Sequence, residues 1–265
     1  MSKKLLIALG VVALIALAAL AVAVFRPPEQ ASAPLVAAPV VIETAPVAAA
    51  TPTPAPAAAT PTEPAAQATP PSAEATPTAV EATPAAAGPV VFEIVPAQSE
   101  ARFLIDEVLR GRPVRVVGAT NQVAGQIAID RNNPSASQVG LIRVNARTLT
   151  TDNEFRNRAI KNQILNTNAY EFVTFQPTAL SGLPASVAVG QPFTFQITGD
   201  LTIRDVTRSV TFDVTVTPVS ETRIEGLATT TFPYRDFGLR IPDSPSVDTV
   251  ADVVTLELEF VAEAL

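Results

Sequence analysis

The chain contains no histidine and no cysteine. Without cysteine there are no disulfides, no thiolate nucleophiles and no thiolate metal sites. Without histidine the commonest general base and the commonest metal ligand are both missing. An enzyme would have to be built from carboxylates, lysine, tyrosine and hydroxyls, so binding and structural functions come first. The part from Val90 onward is acidic and has no basic cluster, which argues against nucleic acid as a partner.

What is present is distributed unevenly. Of 25 prolines, 15 lie between Pro27 and Pro89, and that concentration marks a linker. Three regions follow: 1–26, 27–89 and 90–265.

Leu5 to Phe25 is an uncharged apolar run between Lys3-Lys4 and Arg26. At ~1.5 Å per residue, a helix of this length matches the hydrocarbon layer, so a retained transmembrane anchor is expected. The other reading is a signal peptide cleaved near Ala19-Leu20-Ala21 or Ala21-Val22-Ala23, which would make the protein secreted once about residues 1–23 are removed. Either way Lys3 and Lys4 stay in the cytoplasm and the rest is exported to the periplasm or cell surface. Region 27–89, with Thr-Pro at Thr51, Thr53, Thr60, Thr69, Thr76 and Thr83, lacks the large apolar side chains that would offset ordering entropy. A disordered, extended tether is expected, reaching on the order of 190 Å at most.

From Val90 the pattern is that of strands. The clearest stretch runs from Phe193 to Val216. Phe193, Phe195, Ile197, Leu201 and Ile203 share one parity, as do Val210, Phe212, Val214 and Val216, with polar residues between. Period two places each set on one face of a strand, and Arg204–Ser209 reads as the hairpin connection. Gly199 breaks the apolar row and suggests a bulge or bend. Ala101, Phe103 and Ile105 alternate with polar residues, as do Val123, Ile127 and Ile129. Val139, Leu141 and Arg143 alternate with Gly140, Ile142 and Val144, leaving neither face wholly polar. Thr151-Asp152-Asn153-Glu154 has the form of a capping box opening a short helix to about Gln163. An aromatic strand containing Tyr170, Phe172 and Phe175 comes next. Beyond the hairpin lie strands over Ile224–Phe232 and Asp252–Val261, separated by the aromatic turn Tyr234–Gly238. The expectation is an all-β fold, an eight-stranded antiparallel barrel with one short helix, preceded by the transmembrane helix and the linker.

Three stretches carry a family resemblance: Arg158 to Phe175 (RAIKNQILNTNAYEFVTF), Ile197 to Phe212 (ITGDLTIRDVTRSVTF) and Asp236-Phe237-Gly238. A closing strand, ADVVTLELEF, follows. Together they resemble the YceI-like family of polyisoprenoid-binding, lipocalin-like barrels over roughly 92–262. The family pattern has proline where this chain has Glu171, and it often places histidines around the helix, where this chain has none.

The resemblance implies an apolar lumen that takes an isoprenoid such as a quinone or polyprenyl phosphate. It implies no cofactor and no reaction, and a homodimer is compatible with it. The lumen candidates are Phe103, Ile127, Leu141, Phe155, Ile164, Phe172, Phe175, Phe193, Phe195, Ile197, Leu201, Phe212, Phe232 and Phe237. Alternating apolar residues equally suit a plain core. Head-group candidates are Arg158, Lys161, Asn166 and Thr167, with Arg156 on the same helix; turn formation and solvated helix charge are the simpler explanations for them. A structural or adhesive envelope domain with a filled lumen is the alternative function.

Overall fold

The computed structural model describes residues 27, 29–42 and 88–265. The apolar run 5–25 lies outside the described residues, as does 43–87. Among the described residues no helix is long and apolar enough to cross a membrane.

Residues 88–265 form one curled, wholly antiparallel sheet with one short helix, consistent with a lipocalin-like barrel. Its strand segments are β1 (Val90–Ile94), β2 (Glu100–Leu109), β3 (Arg112–Thr120), β4 (Val123–Ala124), β5 (Gln126–Ile129), β6 (Gln138–Val139), β7 (Ile142–Asn145), β8 (Phe172–Ser181), β9 (Phe193–Ile203), β10 (Val206–Pro218), β11 (Arg223–Pro233), β12 (Val247–Val250) and β13 (Val253–Ala264). The hydrogen-bonded order is β4-β7-β8-β9-β10-β11-β13-β1-β5-β6. β4 and β5 flank Gly125 in one stretch, and β6 and β7 flank Gly140-Leu141 in another, so the ladder returns to its start. These interruptions are one reason the segments outnumber the strands read from periodicity. β12 and the β2–β3 hairpin extend one end of the sheet.

The central hairpin is β9 and β10, in register from Val206↔Ile203 to Val216↔Phe193. Its turn is only Arg204-Asp205, with Arg204 at φ 59°. Val206–Ser209, read from sequence as connection, already pairs as strand. Gly199 pairs regularly with Val210, and the bulge sits in the facing strand, where Thr178 is extra between Pro177↔Gly199 and Ala179↔Thr198. Gly199 is needed for space. A Cβ there would lie 2.5 Å from the Gln176 carbonyl and 2.7 Å from the Phe175 ring.

The helix ends about where expected but differs in its start and in the winding of its second half. Asn153, not Thr151, is the N-cap: its Oδ1 accepts from the Phe155 and Arg156 amides at 2.9 and 3.1 Å. Thr151 instead uses its amide and hydroxyl to bond Asn157 Oδ1 at 2.7 and 2.8 Å. Helix α1 (Glu154–Ala159) then widens into a π turn over Ile160–Ile164. It stands at the end of the sheet that also carries the Arg204-Asp205 turn, the start of β8 and Tyr234–Phe237.

Part of the proline-rich region also departs from a free tether. Residues 29–42 are irregular, as their composition demands, but they lie against the barrel wall. The Ser32 amide donates to Glu171 Oε1 at 2.8 Å and the Ser32 hydroxyl to Glu171 Oε2. Farther along, the Val40 amide donates to Gln126 Oε1 at 3.0 Å.

Candidate ligand cavity

Inward-facing side chains of β1–β13 leave a cavity of about 330 Å³. Its lining runs from one end of the sheet to the other. Ile160, Ile164 and Ile241 stand at the helix end, and Ile129, Leu183, Val187 and Phe193 at the opposite end. The walls are almost wholly aliphatic and aromatic, because inward positions on successive strands carry Val, Ile, Leu and Phe. Phe175 and Phe212 meet edge to face in the wall with ring centroids 4.9 Å apart.

Ten of the lumen candidates face this cavity: Phe103, Ile127, Ile164, Phe175, Phe193, Phe195, Ile197, Leu201, Phe212 and Phe232. Four do not. Leu141 falls in the break between β6 and β7, and its neighbours Ile142 and Val144 take the inward positions. Phe155 is 73% exposed on the outer face of α1. Phe172 lies under the Arg143 guanidinium, 4.3 Å from its ring centroid, away from the cavity. Phe237 is fully buried against Phe232, with ring centroids 4.8 Å apart, but outside the lining.

The head-group candidates are also placed elsewhere. Asn166 is a turn residue at φ 47°, its carbonyl accepting from the Ala169 and Tyr170 amides. Thr167 is buried away from the cavity, and its Oγ1 has no partner among the described residues. Arg158 approaches the Phe155 ring at 6.0 Å on the outside. Lys161 does not line the cavity; burial pushes its ammonium below the ordinary lysine value, against the pull of Glu154.

The polar feature at the helix end of the cavity is Arg156, whose guanidinium donates to Glu107 at 2.7 Å. A second nitrogen reaches Asp152. Glu107 is buried and was missed in the sequence, although a signal existed. It continues the inward parity of Ala101, Phe103 and Ile105, where an acidic residue is out of place unless paired. Among the described residues no group of three or more Asp or Glu is placed to hold a metal ion.

A second polar cluster lies outside the cavity, beneath the docked 29–42 segment. Glu171 accepts from Asn145 Nδ2 at 2.9 Å and from Ser32, and pairs with Arg147 at 3.1 Å. Burial alone would push its carboxyl up. The Ser32 and Asn145 hydrogen bonds and the Arg147 charge more than reverse this, so Glu171 sits below the usual glutamate value. A depressed folded value means the stabilisation is complete above the unfolded value of about 4.3 and is lost as pH falls through the folded one. Denaturant unfolding followed from neutral pH into acid should therefore show a shallower loss of stability in Glu171→Gln than in the wild type. Identical acid profiles for the two would refute the assignment.

The fold and the cavity define a class: a lipocalin-like antiparallel barrel enclosing an elongated apolar chamber. The sequence profile of the YceI-like domain matches residues 92–262. The chain belongs to the YceI-like family. It is 26% identical over 156 residues to a UPF0312 protein of Shewanella sp. strain MR-4, covering 57% of this chain and 74% of that one. A polyisoprenoid-binding domain from Saccharophagus degradans, implicated in plant cell wall breakdown, superposes with a TM-score of 0.54 at 16% identity, covering 66% of this chain and 99% of that one. BcnA of Burkholderia cenocepacia gives 0.51 at 19% identity, with 63% and 98% covered.

Proposed function

We propose that this chain is an exported, membrane-tethered binding protein that sequesters or carries an amphiphilic isoprenoid. The observation carrying this reading is the apolar cavity that extends between the two ends of the barrel, with the Glu107–Arg156 pair at one of them. An isoprenoid tail entering it leaves water at ~25 cal/mol per Å² buried. A quinone ring or a polyprenyl phosphate then meets the polar end. No cofactor and no bond-making step are required. The Leu5–Phe25 run supports placing the barrel on the extracytoplasmic side, in the periplasm or at the cell surface. The open chamber favours carriage over an adhesive domain with a filled lumen.

The test is native mass spectrometry with lipid extraction on the protein purified from its own host. A stoichiometric apolar ligand is the expected result. An empty barrel that also takes up no added quinone or polyprenyl phosphate would sink the reading. Ala228→Phe supplies the matched control, since Ala228 lies in the cavity wall. Filling the chamber should weaken uptake roughly tenfold or more, because each displaced methylene is worth about 1–3 kcal/mol. Unchanged uptake would place the ligand elsewhere.

A further inference from the structure

Residues 29–42 hold the barrel by the end that carries α1. Glu29 pairs with Arg147 at 3.4 Å, and its amide donates to Asn168 Oδ1 at 3.3 Å. Arg147 also donates to the Gln30 carbonyl at 3.3 Å. Ser32 spends both its donors on Glu171. Arg147, Asn168 and Glu171 flank the segment between the π turn and β8, so the strap is fixed at the helix end before it runs down the wall to Gln126. Only Pro27 and Pro28 separate Glu29 from Arg26, where the apolar run ends. At no more than ~3.6 Å per residue, that spans roughly 10 Å.

The same end presents Phe155, 73% exposed on α1 with the Arg158 guanidinium beside its ring. An aromatic side chain standing in water next to a cation is the arrangement that settles at a lipid–water interface. The charges around it are mixed, Asp152 and Glu154 against Arg156, Arg158 and Lys161. Attraction to anionic lipid is therefore not the driving force.

From these two observations we infer that the strap holds the helix end of the barrel against the bilayer surface, with Phe155 seated in the lipid interface. The inference deepens the proposed function and rests on its retained anchor. It also assigns the direction of loading: ligand enters from the membrane at the end of the cavity that holds Glu107 and Arg156.

The chain has no tryptophan, so Phe155→Trp gives one reporter at an exposed site. The full-length variant is reconstituted in phosphatidylcholine vesicles, with brominated acyl chains as quencher. Blue-shifted emission, quenched by the brominated lipid and insensitive to salt, is expected. Replacing residues 29–42 of that variant with a glycine-rich stretch of equal length, which removes the Glu29–Arg147 and Ser32–Glu171 contacts together, should abolish the quenching while the protein still floats with the vesicles. Co-flotation with water-like, unquenched indole emission from the Phe155→Trp protein would overturn the inference and leave the anchor reading standing. Quenching that survives this replacement would overturn the strap's part in it. A protein that does not float with vesicles at all would remove the anchor and the inference together.

Discussion

Arg147→Ala is expected to destabilise the domain by about 2–3 kcal/mol, between the cost of breaking an exposed ion pair and that of breaking a fully buried one. The Arg147 side chain is 11% exposed and that of Glu171 is 9%. Arg147 Nε donates to the Thr167 carbonyl at 2.8 Å and Nη2 to the Asn168 carbonyl at 3.1 Å. Truncation therefore leaves a half-buried carboxylate short of its countercharge and deprives the chain between helix and β8 of its fixed donors. Asn145 and Ser32 still reach Glu171, so the double variant Arg147→Ala/Glu171→Gln should recover part of the loss. Denaturant midpoints on the two single variants and the double would decide it. A loss below about 1 kcal/mol in Arg147→Ala would mean that the pair is as weak as an exposed one.

Phe92→Ala is the second large effect, about 3–5 kcal/mol. Phe92 is 0% exposed, the largest side chain so fully enclosed together with Phe237. It sits at the junction of three strands, opposite Ala264 of β13 and Ile127 of β5. Because β1 links β13 to β5 and so closes the ladder, the lost packing falls where the sheet joins its own start. Against a typical total of about 5–15 kcal/mol, one such change consumes much of the margin. Calorimetry would show a lowered midpoint; a shift of only a degree or two would mean that β1 contributes little to closure.

How far the sequence can be read depends on how local each determinant is. The β9–β10 hairpin is legible because Phe195, Ile197, Leu201, Phe212 and Val214 alternate with polar residues, broken only at Gly199, and the facing of the nine strand-borne cavity residues follows from that kind of rhythm. Parity misplaces Leu141 because it is broken at Gly140-Leu141, and no local rule says on which side of the break the count restarts. Residue type misplaces Phe155: its exposure depends on where α1 packs, which is a tertiary matter. Thr151–Glu154 offers two caps, and the choice of Asn153 turns on Thr151 bonding forward to Asn157. Glu171 is visible as a departure from the family pattern. Its partner Ser32 lies 139 positions away, in a stretch whose composition signals only disorder.

That long-range contact has a kinetic side. Residues 29–42 and the barrel fall in one compact unit, with residues 43–87 joining them. The strap and its receptor are covalently one molecule, so the effective concentration of each for the other is on the order of millimolar, whatever the dilution outside. One hydrolytic cut between 43 and 87 removes that advantage. The contact becomes a meeting of two chains held by a few hydrogen bonds, and at cellular dilution it dissociates. The barrel then parts from everything on the N-terminal side of the cut, the strap included. A single hydrolytic event would thus exchange an intramolecular contact for a bimolecular one.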